Sequence, residues 1–323
     1  MIDRRQWLQG GLAVAALAAA PPLRAQPATP RARLKLLVPA NPGGGWDQTA
    51  KAVAATLQAT KLVERIDIEH KPGKGGVPGL AHFVEQYAGD PDALMVGGLV
   101  MCGAIALHRP AVDLAQVQPV AKLTTDYLVI AVPRESPIAN GKALAEAMRQ
   151  RPQSLSFGGG SAGGVDHMLM GMVGRAVGAD LTALKYVASS AGTDFAAALK
   201  KGALSAGIAG YSELKDGLAD GSLRALAVSA PRGLFGVPSL REQGINTELG
   251  NWRGLFAPPG LNPTAIASWT TLLQQMAGSN DWKAQLDRHN WRAAPLYGAP
   301  LRRFVDDEQM SARVVIHLLK IQS

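Results

Sequence analysis

The chain of 323 residues contains a single cysteine, Cys102, which excludes an intramolecular disulfide and any cysteine zinc site. Aromatic residues are scarce at 5%, and the longest basic runs are pairs such as Lys200-Lys201 and Arg302-Arg303. A nucleic-acid surface needs a basic stripe interleaved with stacking rings, so no nucleic-acid partner is expected despite the net charge of +8. That surplus is a weak field able to draw in small anions. There is no short fixed-period repeat, which excludes a solenoid. The six histidines (His70, His82, His108, His167, His289, His317) show no metal-ligand spacing, and neither a metal nor a cofactor is expected. Hydrophobic residues, by contrast, make up 47% of the chain and charged ones 18%, enough apolar material for a large core. The 36 glycines and 21 prolines predict many tight turns and loops that expose backbone.

The first 25 residues read as an address. Arg4-Arg5 precede an apolar run from Gly10 to Ala20, whose eleven residues fall short of the ~20 a bilayer needs. Pro21-Pro22 and a small residue at Ala25 follow. Paired arginines before a short apolar segment are the pattern of a twin-arginine export signal, so residues 1–25 are expected to be removed and the remainder to be periplasmic.

Beyond residue 25, strand and helix patterns alternate. Leu34–Val38 reads as a strand, and Ala50, Val53, Ala54 and Leu57 then form the i, i+3, i+4, i+7 stripe of a helix laid on a sheet. Leu94–Gly97, Tyr127–Val132, Leu204–Ala209 and Leu223–Val228 are further strands, and Asn140 is placed to cap a helix. Alternation of this kind predicts an α/β fold with mostly parallel sheets flanked by helices. Two such halves can be read, with a helix-rich C-terminal third that returns to the first. The expected organisation is one lobe of residues 26–126 plus 231–323 and a second of 127–230.

Three loops follow a strand, are rich in small residues, and open a helix. They are Pro39–Asp47, Gly158–His167 and Ala188–Asp194. Glycine permits close backbone approach, and the first N–H groups of a helix have no partner within it, so such loops suit a carboxylate or phosphate. In open α/β sheets ligands bind beyond the carboxyl ends of the strands, where these loops lie. A side chain added at Gly44 or Gly163 is expected to block the ligand. Asp47 and Asp166 stand in matching places and are expected to satisfy helix N–H groups, while Cys102 is expected to be a small buried hydrophobe.

The second loop carries two formal motifs. Gly158, Gly160 and Gly163 fit G-x-G-x-x-G, but the next strand ends in Ala188-Ser189, without the acid that would hold a ribose. Gly159, Ser161 and Gly163 fit the nucleophile elbow G-x-S-x-G, with His289 the one sensible partner. An exported serine hydrolase using Ser161 is therefore the alternative to a binding protein.

Several segments in order resemble one family. Asn41–Asp47, Gly158–His167, Gly210-Tyr211-Ser212-Glu213, Leu223–Ser229, Asn251-Trp252-Arg253-Gly254 and Ala257–Gly260 are similar to the periplasmic receptors of tripartite tricarboxylate transporters, tricarboxylate-type branch. The resemblance implies a non-enzymatic, two-lobe binding protein that closes on a small carboxylate, a tricarboxylate such as citrate or a related di- or monocarboxylate. It implies delivery to the small and large membrane subunits of a tripartite permease, or signalling to a sensor kinase, by a monomeric receptor. Carried over residue by residue, Gly43, Gly44, Gly45 and Trp46 line one lobe, and Gly160, Ser161, Ala162 and Gly163, with His167, line the other. Ser190, Gly192 and Thr193 of the third loop meet the far end of the ligand. There the family's run of glycines followed by Glu is replaced by Ala191, Gly192, Thr193 and Asp194.

Overall fold

The computed structural model describes residues 29–189 and 192–320, except for the side chains at 193 and 194. The expected export signal, Ser190 and Ala191 lie outside the described residues. The first elements are β1 (Arg31–Val38), α1 (Gly45–Ala59), β2 (Val63–His70), α2 (Val77–Gln86), β3 (Ala93–Gly98) and α3 (Leu99–His108). Next come β4 (Gln118–Pro133), α4 (Gly141–Gln150), β5 (Ser156–Gly159), α5 (Val165–Ala176), β6 (Lys185–Ala188), α6 (Gly192–Lys200), β7 (Ala206–Gly210), α7 (Tyr211–Ala219) and β8 (Leu223–Val228). The chain closes with β9 (Gly250–Ala257), α8 (Pro263–Ala277), α9 (Asn280–His289), β10 (Arg292–Leu296) and α10 (Gly298–Leu318).

Strand–helix alternation produces the parallel pairs it predicts: β1 with β2 and β3, and β5 with β6 and β7. Between these sets lie strands that run antiparallel to their neighbours. β4 is one 16-residue strand serving both sheets. Its first part, Gln118 to Tyr127, pairs with β9, and its second, Leu128 to Pro133, pairs with β7 and β8. A strand that passes from one sheet into the next needs a partner coming back, and β9 is that return strand, also antiparallel to β3. Tyr127 and Asp126 mark the changeover, and Asp126 stands opposite Asn251.

The core follows from the apolar stripes. Leu34, Leu36, Val53, Leu57, Leu80, Phe83, Leu94 and Val96 are fully buried between the first sheet and its helices. A second cluster of Val129, Phe195, Leu199, Leu204, Leu214 and Leu223 fills one face of the other sheet. Cys102 is buried and free, as expected of a small hydrophobe. Asn140 caps α4 by accepting the N–H of Ala143 at 2.9 Å. Two stretches had no clear signal. α3 is apolar on every side, so it has no helical period to read. β9 hides an Arg and an Asn among its buried residues. Among the described residues, no helix is long and apolar enough to cross a membrane.

Candidate functional site

The first two loops are built to the same plan. β1 ends at Val38, and Gly44 caps α1 in extended backbone (φ −77°, ψ 172°) with no side chain bonded to the helix start. β5 ends at Gly159, and Gly164 caps α5 at φ −69°, ψ 177°, again without a side-chain cap. The opening N–H groups of both helices are thus left for a ligand.

Each loop is pinned by the acid in the first turn of its helix. The Asp47 carboxylate accepts the Gly43 N–H at 2.8 Å, and the Asp166 carboxylate accepts the Gly160 N–H at 2.7 Å. The expectation that they satisfy helix N–H groups is corrected: they hold the backbone of the loop that precedes the helix, at Gly43 and Gly160. The two sites differ electrically. Burial alone would push Asp47 up, but Lys51 and His70 contact it at 2.7 and 2.8 Å, and with the Gly43 N–H they hold it below its usual range. Among the described residues no cation contacts Asp166, and Arg253 acts on it only from a distance. Burial, together with the nearby Glu213, pushes it up to about 7.

Both loops open on one cavity of about 350 Å³, within the size range of small-ligand sites. Gly44, Gly45 and Trp46 from the first loop line it, with Gly160, Ser161, Gly164, Val165 and Asp166 from the second. Gly43, Ala162, Gly163 and His167 are not on its wall. Gly163 has φ +72° and is packed on α3: a Cβ there would lie 2.7 Å from Leu107. Gly103 of α3 is its counterpart, since a Cβ at that position would stand 2.2 Å from the Gly163 carbonyl oxygen. A substitution at Gly163 therefore tests packing rather than ligand access. The His167 ring stacks on Tyr186 at 4.0 Å, accepts the Gly163 N–H at 3.2 Å, and is pushed down to about 4 by burial. It borders a separate hollow with Met170 and Leu319. Of the third loop, Ser189 reaches the cavity; Ser190 and the Thr193 side chain lie outside the described residues.

Further wall residues lie outside the three loops. Pro72–Gly76 contributes Lys74, α6 contributes Phe195, β7 and α7 contribute Gly210 and Glu213, and β9 contributes Asn251 and Arg253. Gly210 caps α7 directly after β7, so the strand–glycine–helix grammar that picked out the other loops occurs here too. Arg253 is 3% exposed and binds Asp126, itself 1% exposed, at 2.8 Å. Its other terminal nitrogen donates to the Gly45 carbonyl at 3.3 Å. Burial pushes Asp126 up to about 6 against the pull of Arg253, and pushes Glu213 up as well. Across the cleft, the Ser212 hydroxyl of α7 donates to Gln48 of α1 at 3.4 Å.

The raised carboxyls predict a pH dependence of the ligand-free protein. A carboxyl whose value is raised by folding stabilises the fold below its ordinary value, and that stability is lost as pH climbs through the raised one. His167, lowered by folding, acts oppositely, but only between about pH 4 and 6.5. From pH 6.5 to 8 the unfolding midpoint should therefore fall, and Asp166→Asn should flatten that slope. Midpoints from thermal melts across this range, equal in slope for both proteins, would contradict the assignment to Asp166.

Nucleophilic use of Ser161 needs a base within hydrogen-bond reach. Among the described residues no histidine lines the cavity, and His289 stacks on Trp291 at 4.3 Å. The family model described as "Tripartite tricarboxylate transporter family receptor" matches residues 50–320. The chain belongs to that family. A Bordetella pertussis (strain Tohama I) relative, protein BugT, is 26% identical over 79% of each chain. Among solved structures, MatC of Rhodopseudomonas palustris with bound malate has a TM-score of 0.74 at 24% identity, covering 88% of this chain and 99% of that one. An R. palustris protein solved with adipate has a TM-score of 0.81 at 22% identity, covering 90% and 98%. A structure of the periplasmic binding protein BugD aligns with a TM-score of 0.79. These likenesses show the two-lobe fold of periplasmic binding proteins.

Proposed function

We propose that this member of the family is a periplasmic receptor that catalyses nothing and holds a small carboxylate between two lobes, residues 26–126 with 231–323 and residues 127–230. It passes the ligand, as a monomer, to the small and large membrane subunits of a tripartite permease. The observation that carries the reading is the cavity onto which two uncapped helix starts, at Gly44 and Gly164, both open. Gly44, Gly45, Trp46, Gly160 and Ser161 are the expected contacts. The solved relatives with malate and adipate support a short acid. Asp166 and Glu213 line the cavity and add negative charge to it, which disfavours a tricarboxylate against an acid of lower charge.

A thermal-shift screen over short carboxylic acids tests this. A ligand at a hundredfold excess over its Kd adds about 2.7 kcal/mol of stability. Ser161→Ala should weaken that ligand by about 0.5–1.5 kcal/mol, or 1.5–3 if the carboxylate accepts the hydroxyl. Fluorophosphonate labelling of Ser161 would instead favour the hydrolase. Export is tested separately: lysine at both Arg4 and Arg5 should leave folded precursor in the cytoplasm, and normal periplasmic accumulation would refute a twin-arginine route.

A further inference from the structure

The N–H groups of the second glycine loop are mostly committed within the protein. Asp166 accepts the Gly160 N–H at 2.7 Å, His167 accepts the Gly163 N–H at 3.2 Å, and the Ser161 carbonyl accepts the Gly164 N–H at 2.9 Å. Among the described residues no acceptor meets the Ser161 N–H, although Ser161 is on the cavity wall. The carbonyl of the same peptide, that of Gly160, accepts the Tyr186 hydroxyl at 3.0 Å. The Ser189 N–H lies 3.3 Å from that oxygen but is nearer the Gly159 carbonyl, at 3.0 Å. Both donors belong to β6 or to the residue that follows it.

The Tyr186 contact sets the direction of the free donor. A trans peptide holds its N–H opposite its C=O, and the 160–161 bond is trans. A carbonyl fastened toward β6 therefore turns the Ser161 N–H toward the other neighbour of β5, which is β7, whose Ala209 and Gly210 are on the cavity wall. Gly160 has no Cβ and does little to fix its own peptide plane, so the orientation rests on the bond at the oxygen. Reversed, the same peptide would point a carbonyl oxygen at an anion. The Tyr186 ring is itself held by stacking on His167 at 4.0 Å and 4°. Burial, followed by the charges of Asp166 and Glu213, pushes its hydroxyl up from the ordinary value, so it stays a donor. Neither ring is on the cavity wall; both border the separate hollow with Met170 and Leu319.

We propose that Tyr186, steadied by His167, is a positioning residue for binding: it holds the Gly160 carbonyl away from the cavity and so presents the Ser161 N–H to the ligand carboxylate. This rests on the carboxylate reading above and assigns part of it to a side chain that the ligand never touches. The Ser161 backbone then acts as a donor alongside the opening N–H groups of α5.

Tyr186→Phe removes the hydroxyl and keeps a ring to stack on His167. In the ligand-free variant, folded by circular dichroism, the nuclear magnetic resonances of the Gly160 carbonyl carbon and the Ser161 amide nitrogen should move. Malate and adipate are the probes for binding. By titration calorimetry, whichever acid binds the wild-type protein should bind the variant about tenfold or more weakly. At saturation the Ser161 amide proton should shift downfield in the wild-type protein and by much less in the variant, a difference that a loss of stability alone does not produce. Binding by Tyr186→Phe within about twofold of wild type overturns the inference and leaves the carboxylate receptor standing. A weaker variant whose Ser161 amide still reaches the wild-type position at saturation overturns the positioning role, because the hydroxyl then acts on the fold alone. If the wild-type protein binds neither acid, the carboxylate reading falls and this inference with it.

Discussion

Gly44→Val is expected to abolish ligand binding in a protein that still folds. The Gly44 backbone is extended, at φ −77°, a conformation a β-branched residue adopts readily. A Cβ built there has only the Asn41 carbonyl within 4 Å, at 3.7 Å, an ordinary van der Waals contact, so the branch point itself fits beside the cavity. The added methyls would stand where the ligand carboxylate must approach the first N–H groups of α1. The expected loss is about a hundredfold or more, ~2.8 kcal/mol, while the poorer N-cap lowers the unfolding midpoint without unfolding the protein. The neighbouring glycines are poorer probes. A Cβ at Gly45 would lie 2.7 Å from the Arg253 guanidinium, and one at Gly164 would lie 2.8 Å from the Ser161 carbonyl oxygen. Isothermal titration of any hit from the carboxylate screen checks the outcome. Wild-type affinity in folded Gly44→Val would mean the carboxylate does not use the first loop.

Removing the Arg253 guanidinium should give the largest loss of stability. Arg253→Met keeps much of the stem but leaves Asp126, at the changeover of β4, buried without its cation. Breaking a buried pair from one side costs about 3–5 kcal/mol. Asp126 already stands at about 6, and losing Arg253 raises it further, so the protonated form relieves the strain in acid. The deficit against wild type should thus be small at pH 5 and should widen as pH rises to 8. Urea unfolding at both pH values measures it, and adding Asp126→Asn to the variant should recover most of the loss. A deficit below about 1 kcal/mol at pH 8 would give the pair no more weight than a surface ion pair.

The fold was largely legible from residue pattern, because helix stripes such as Ala50, Val53, Ala54 and Leu57 have a period and become buried. The site was legible where it is made of backbone. Glycine between a strand and a helix is a local signal, and it located Gly44–Trp46 and Gly160–Ser161 on the cavity. It could not separate a glycine that faces the ligand from one that faces α3, which is why Gly163 was expected on the wall and is packed against Leu107. Nor could local pattern find Asn251 and Arg253. They reach the cavity only because β9 returns beside β4, a pairing between residues more than a hundred positions apart in the chain. His167 shows a similar limit: its place in the first turn of α5 is right for a ligand contact, but Tyr186 of β6 draws the ring to the other side by stacking.

A crystal structure with a carboxylate identified by the thermal-shift screen tests the central claim most directly. The account predicts the carboxylate oxygens within about 3.2 Å of the opening N–H groups of α1 and α5, reached directly or through one bridging water. Density for the acid outside the cavity, or a carboxylate held by side-chain cations with both helix starts left to solvent, would contradict it.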